Sequence, residues 1–261
     1  MPGFDPIIPD WPDAPPNIGA LATTRTGGFS AAPYDDGQGG GGLNLGLHCG
    51  DDAEVVQQNR SLLAQAVPRR PAWVSQVHGI AVADAASVSP GSPVQVADAS
   101  IASAPGVVCA VMTADCLPVL FADLDGKVVG AAHAGWRGLA AGVLGETVRA
   151  MRAAGAGEIT AWMGPAIGPA QFEVGSDVFD SFMAGAAKGE AAQLRAAFQP
   201  YPGRDGKFLA NIYALARVSM ARDGVTRVSG GTFCTASEAN RFFSYRRDQV
   251  TGRQASLIWI K

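Results

Sequence analysis

"LPVLFADLDGKVVGAAHAGWRGLAAG", residues 117–142, decides how this chain folds. Its first half is a run of β-branched and small apolar residues broken by Asp125-Gly126, a two-residue hairpin signal. With that pair at the tip, Leu124 faces Lys127, and stepping back along both strands brings Pro118 opposite His133. Cys116 lies two residues before Pro118 and leaves the same face of the strand. It thereby becomes a diagonal cross-strand neighbour of His133. A three-residue loop would shift the pairing by one and put the two side chains on opposite faces. Pro118 has no N–H to give to a ladder, so an edge or an irregularity is expected beside it. After Gly135 the period changes: Leu139, Ala140, Val143, Leu144, Thr147, Val148 and Met151 make a helical apolar stripe over residues 137–154, ending near Gly155.

Outward from this segment, "AWVSQVHGIAVADA" (72–85), "EITAWMGPAIG" (158–168) and "ASLIWIK" (255–261) carry strand-forming runs. Asp51 or Asp52 can cap a helix with apolar positions Val55, Val56, Leu62 and Leu63. "SDVFDSFMAGAA" (176–187) and "LANIYALARVSMARDG" (209–224) read as two further helices. The glycine run "DDGQGGGG" (35–42) has no strand before it and no helix with Lys-Ser/Thr after it, so it reads as a mobile surface loop, not a phosphate cradle. These elements predict an α/β (α+β) chain: mixed β-sheets with helices packed outside, one domain over residues 1–261, residues 1–18 forming an extended arm.

The chain has 261 residues, 48% hydrophobic and only 16% charged, with a formal net charge of −3. That balance opposes a dedicated nucleic-acid binder. No run of roughly eighteen apolar residues is present, so no membrane span is expected, and the N-terminus lacks the pattern of a signal peptide. Four scattered cysteines, Cys49, Cys109, Cys116 and Cys234, do not make a disulfide framework. A cytoplasmic protein with reduced thiols, and a monomer, is the expectation.

Only three histidines occur. His133 ends a strand pattern beside Gly135, and His78, in "SQVHG", ends another beside Gly79. Together with Cys116 they offer one thiolate and two imidazoles, a set suited to Zn²⁺ with a fourth position open to water. The same residues could equally be strand-end histidines and a small buried cysteine; spacing alone leaves both readings open.

The motifs as a group resemble the laccase-domain family, also called multicopper polyphenol oxidoreductase, of the purine nucleoside phosphorylase and adenosine deaminase type. They are "TTRTGGFS" (23–30), "LNLGLHCGDD" (43–52), "SQVHG" (75–79), "TADCLPVL" (113–120), "AAHAGWRGLAAGV" (131–143), "MGPAIGPAQFEVG" (163–175) and "RFFSYRRDQVTGR" (241–253). The resemblance implies that His78, Cys116 and His133 form a catalytic centre holding Zn²⁺, or Cu²⁺. It further implies phosphorolysis of adenosine, inosine and methylthioadenosine to free base and ribose 1-phosphate, together with adenosine deamination. Two departures stand out: Cys49 replaces a more usual aliphatic residue, and the "GQGGGG" loop replaces a shorter polar link.

Phosphorolysis needs cationic and amide donors for phosphate. Arg25, Asn44, Arg60, Gln76, Arg137, Arg241 and Arg246 stand in or beside the motifs and are the substrate-binding candidates. Deamination needs an activated water and a proton carrier. Asp115 adjoins the cysteine but is expected to turn away and bond to backbone groups. His48 and Cys234 read as structural, and Trp136 either stacks on a purine or packs between strand and helix. A full laccase is short of ligands, because three histidines cannot furnish a multicopper cluster. The runner-up is a Cys–His hydrolase with Cys116 as nucleophile, of the kind linked to peptidoglycan editing; a copper-dependent polyphenol oxidoreductase stands behind it.

Overall fold

Strands 117–123 and 129–134 form the expected hairpin in the computed structural model, which describes residues 3–88 and 93–261. Pro118 pairs with His133 and Ala122 with Val129, the predicted register. The loop is longer than two residues. Asp123 N–H donates to the Val128 carbonyl (3.0 Å), and Asp123 Oδ1 accepts from the N–H groups of Lys127 and Val128 (2.7 Å each). Residues 124–127 therefore form the turn, with Gly126 at φ +69°. Removing one residue from each strand leaves the register unchanged, which is why the prediction survives the longer loop. Pro118 fits because its carbonyl accepts from Gly164 N–H (2.9 Å) while the ladder to residues 159–163 stops at Val119–Met163. Its absent N–H falls just past the end of that pairing.

In chain order the elements begin β1 (Ile18–Ala22), β2 (Thr26–Ser30), α1 (Ala53–Leu63), β3 (Val82–Asp84), β4 (Ala99–Ala102) and β5 (Val108–Thr113). The hairpin is β6 (Leu117–Asp123) and β7 (Val129–Ala134), followed by α2 (Trp136–Ala141), α3 (Val143–Ala153) and β8 (Ile159–Met163). Then come β9 (Glu173–Gly175), α4 (Ser176–Ala184), α5 (Ala191–Ala196), β10 (Phe198–Pro200) and β11 (Lys207–Ala210). The chain closes with α6 (Ile212–Arg222), β12 (Arg227–Gly230), α7 (Tyr245–Asp248) and β13 (Gln254–Ile260).

A six-stranded sheet, ordered β12-β8-β6-β7-β4-β3, is mixed: β12–β8 and β3–β4 are parallel and the other pairs antiparallel. Period-2 alternation divides its two faces. Val119, Phe121, Ala132 and Ala134 pack on the helical stripe Leu139, Val143, Leu144, Val148 and Met151. Leu120, Ala122, Val129 and Ala131 pack on Cys109, Val111, Ile258 and Ile260 of a second sheet, β1-β13-β5. The far side of that sheet, with Val108, Ala110 and Leu257, is covered by Leu43 and Leu45 of the preceding segment and by Leu63 of α1. The result is a helix–sheet–sheet–helix stack, in accord with the mixed α/β class predicted. The α1 cap is Asp52, whose carboxylate accepts from Glu54 and Val55 N–H.

Three local expectations change, and one element was not expected. The helix predicted over 137–154 is two helices, because Gly142 takes φ +101° between α2 and α3. In the 72–85 run only β3 is a strand; Ala72 and Ser75 make isolated bridges. The glycine loop is tied down: Asp36 Oδ1 accepts from Gln38 and Gly40 N–H (2.8 Å each), and buried Gly42 bridges Thr26 and Ser30. A Cβ on Gly42 would lie 1.8 Å from the Tyr34 carbonyl, so close backbone packing explains that glycine. Finally, α5 carried no clear signal in the sequence. The N-terminal arm docks through an Ile7–Ala22 bridge and through buried Trp11, whose Nε1–H donates to Thr160 Oγ1 (2.9 Å). No helix among the described residues is long and apolar enough to cross a membrane.

Candidate metal centre and its cavity

Because β6 and β7 pair in that register, Cys116 leaves the start of β6 beside His133 on β7. The loop before β3 brings His78 to the same point. Cys116 Sγ lies 3.6 Å from His78 Nε2, and the two imidazoles meet edge-on with ring centroids 4.8 Å apart. One ligand atom from each of the three residues falls within 4.8 Å of the others. Bonds of about 2.0–2.3 Å in tetrahedral geometry separate ligand atoms by roughly 3.3–3.6 Å, so the Cys116–His78 spacing suits a shared cation. Gly135 provides the room: a Cβ there would stand 2.6 Å from His78 Cδ2 and 3.0 Å from Cys116 Sγ. The residues present fit a divalent metal ion, and sulfur with two nitrogens leaves a coordination position open.

The backbone around the centre is unusual. His78 and Asp115 both occupy the left-handed region, at φ +61° and φ +89°, which non-glycine residues seldom adopt. Asp98 holds the first of them. It is completely buried, and its Oδ1 accepts from His133 Nδ1 (2.8 Å) and His78 N–H (2.9 Å). Its Oδ2 accepts from the N–H groups of Val77 (3.1 Å) and Gly79 (2.7 Å). Sequence reasoning missed this residue, although a lone acidic side chain opening the alanine-rich run "VADASIA" (96–102) was a visible signal.

The electrostatics follow from these contacts. Burial pushes the Cys116 thiol up, but the adjoining His133 and His78 rings more than reverse this and hold it below the usual thiol range. Burial pushes the His133 imidazole down, while Cys116 and Asp98 raise it above its ordinary value. The two shifts support each other: a charged imidazole favours the thiolate, and a charged sulfur favours the imidazolium. Burial pushes Asp98 up as well; its bonds from His133 and the loop N–H groups leave it below the carboxylate range.

The three candidate ligands open into a cavity of about 730 Å³. Trp136, Ile167 and Phe172 form apolar wall, and His48, Arg137, Arg246 and Arg253 supply cationic or polar wall. Of the seven predicted substrate-binding residues, the structure brings Gln76, Arg137 and Arg246 to this cavity. Gln76 arrives with its amide occupied, donating to the Met112 carbonyl and accepting from Met112 N–H (2.8 Å each). Arg137 lies over the Trp136 ring at 4.3 Å, and Arg246 donates to the Gln171 carbonyl (3.3 Å).

The other four do not line it, and each is used internally. Arg25 is buried, donating to the carbonyls of Asp35 and Ala239 and stacking on Phe243. Asn44 bonds Asp51, and its Oδ1 accepts from Gly46 and Arg253 N–H. Arg60 donates to the Leu45 carbonyl and lies over Trp73, with burial lowering its guanidinium to about 10. Arg241 pairs with Glu238 and borders a separate cavity of about 390 Å³. Arg253 went unpredicted as a wall residue although it ends the quoted 241–253 motif. Asp115 does not turn away from the cavity but lines it, with its oxygens accepting from Thr235 Oγ1 and from the backbone N–H of Arg246 (2.6 Å each). Cys234 Sγ accepts from Gly168 N–H (3.2 Å).

A family model described as multi-copper polyphenol oxidoreductase laccase matches residues 19–261. Over 255 residues the chain is 50% identical to the purine nucleoside phosphorylase PA4543 of Pseudomonas aeruginosa, covering 98% of each. It is 49% identical over 256 residues to the purine nucleoside phosphorylase YfiH of Escherichia coli, covering 97% of this chain and 98% of that one. The crystal structure of Neisseria meningitidis protein NMB0706 superposes with a TM-score of 0.87 at 47% identity, over 98% of this chain and 99% of the other. With the match running almost end to end and the hairpin at its centre, the chain belongs to the multi-copper polyphenol oxidoreductase laccase family.

Proposed function

We propose that this protein is a metal-dependent purine nucleoside phosphorylase, acting on adenosine, inosine and methylthioadenosine, with adenosine deamination as a second activity. What carries the reading is that one cavity holds both an open three-ligand cluster and three guanidinium groups, Arg137, Arg246 and Arg253, that no carboxylate of the described residues pairs with. Two relatives about half identical along their whole length are named purine nucleoside phosphorylases, which supports the substrate class. His78, Cys116 and His133 would hold Zn²⁺ or Cu²⁺. When bound, a divalent cation supplies Lewis acidity, polarising electron-rich substrate atoms and lowering the pKa of water.

The chain's own residues do the rest. Arg137, Arg246 and Arg253 gather phosphate and present an oxygen to C1′ of the ribose. As the new C1′–O bond forms, the glycosidic C1′–N9 bond breaks, its electron pair leaves with the purine, and the base takes up a proton. Trp136 and Phe172 offer flat apolar surface to that base and exclude water around it. Four free cysteines accord with a reducing, cytoplasmic setting. The decisive assay incubates the purified protein with adenosine or inosine, with and without phosphate, before and after chelation. Free base and ribose 1-phosphate are expected only with phosphate and metal together, and inosine from adenosine only with metal. Unchanged nucleosides in metal-replete protein would sink the proposal.

A second reading rests on one observation. Asp98, His133 and Cys116 stand in the order of orienter, base and nucleophile, as in a Cys–His hydrolase. His78 Nε2, 3.6 Å from the same sulfur, favours the metal instead, and acyl labelling of Cys116 by an amide substrate would favour the hydrolase. Polyphenol oxidation by several coppers lacks ligands: the chain has three histidines, and one cluster among the described residues could hold an ion.

A further inference from the structure

A buried carboxylate is stable only when donors surround it, and at Asp98 every donor belongs to the centre. The imidazole of His133 and the N–H of His78 share Oδ1, while Val77 and Gly79 share Oδ2. One side chain thus grips two cluster residues that lie 20 and 35 positions away from it in the chain. With Nδ1 facing a carboxylate, His133 keeps its hydrogen on Nδ1, which leaves Nε2 as the atom that would face a cation shared with Cys116. On the loop side, three successive N–H groups converge on the carboxylate, which stabilises the left-handed φ of His78. The outer side of that loop is closed by α2, where a Cβ on Gly138 would come 2.9 Å from the Gly79 carbonyl. His78 is exposed to the cavity, yet its backbone is clamped from both directions.

We propose that Asp98 is the positioning residue of this centre, presetting both histidines towards a divalent cation and fixing His133 as its Nδ1–H tautomer. The inference rests on the metal reading above and adds to it. Outer-shell partners of this kind, when lost, reduce metal affinity by about 10- to 100-fold.

The test is Zn²⁺ affinity of the full chain by chelator competition, with Asp98→Asn beside the native protein. Asparagine offers one acceptor oxygen where the site needs two, so the 77–79 loop loses its grip while side-chain volume stays the same. Affinity is expected to fall by about 10- to 100-fold. A merely structural role would lower the melting temperature of the metal-free protein and leave the affinity of the folded fraction unmoved. Asp98→Asn protein that folds and binds Zn²⁺ as tightly as the native chain overturns the inference. A second measurement needs no variant: a long-range proton–nitrogen spectrum of the zinc-loaded native protein, tractable with three histidines. His133 is expected with hydrogen on Nδ1 and zinc on Nε2, and the opposite tautomer overturns the inference. If the native protein takes up no zinc, the metal reading fails too; if it does and D98N matches it, only the role of Asp98 fails.

Discussion

Pro118 stands directly opposite His133 across the β6–β7 ladder, and this one pairing sets Cys116 diagonally beside the imidazole. A slip of one residue would leave the sulfur and the imidazole on opposite faces of the sheet. The centre therefore depends on the hairpin's register, and the register on how Asp123 closes the loop.

Loss of a ligand is expected to cost more than loss of its support. Cys116→Ala and His133→Ala should each weaken zinc binding beyond the about 10- to 100-fold typical of an outer-shell loss, with turnover falling in step. Metal analysis of protein purified without added metals, followed by chelator competition, checks this. A Cys116→Ala protein with full zinc content would defeat the three-ligand arrangement.

Gly135 is required for space, its φ of −60° being open to any residue. In Gly135→Ala the new methyl must displace His78 or Cys116, since 2.6 and 3.0 Å are too short. Overpacking of this kind costs about 1–3 kcal/mol. Calorimetry should show a lowered melting temperature and zinc titration a weakened site. Normal affinity would mean that the ligands tolerate displacement.

Thiol reactivity should separate two cysteines by pH. In metal-free protein the Cys116 thiol is held low by its imidazole neighbours, so its thiolate persists as pH falls below the usual thiol range and is lost only through the lowered value. Burial pushes Cys109 the other way, up to about 12, and it stays a thiol. Alkylation followed by peptide mass mapping should label Cys116 near neutral pH and leave Cys109 untouched until the chain unfolds. Zinc should protect Cys116, and acidification should release the zinc because protons compete for its ligands. A Cys116 that reacts only at alkaline pH would contradict the pairing with His133.

The arginines should divide by location. Arg137→Ala, Arg246→Ala and Arg253→Ala each remove a cavity guanidinium, and a charge-assisted hydrogen bond of about 1.5–3 kcal/mol corresponds to a rise in KM for phosphate of roughly 10- to 100-fold. Arg25→Ala and Arg60→Ala should instead lower thermal stability, because their carbonyl partners are left buried, with KM little changed. Steady-state kinetics against phosphate beside thermal melts decides it. A raised KM in Arg25→Ala of normal stability would return that residue to the site.

What the sequence determined by itself was local. Asp125-Gly126 and the alternation around it set the hairpin register, Asp52 set the start of α1, and "SQVHG", "TADC" and "AAHAGWRG" named the three candidate ligands and their family. Such signals lie in the sterics and hydrogen bonding of near neighbours. Gly142 was visible too, but an apolar stripe runs straight through it, and only its φ of +101° shows the break. The tertiary structure alone decided which arginines face the cavity and that Asp98 holds both histidines. Arg25 is spent on the Ala239 carbonyl, 214 positions away, and Asp98 reaches His133 across 35. Whether a polar side chain meets a ligand or the protein's own backbone depends on partners that only folding brings within hydrogen-bonding distance.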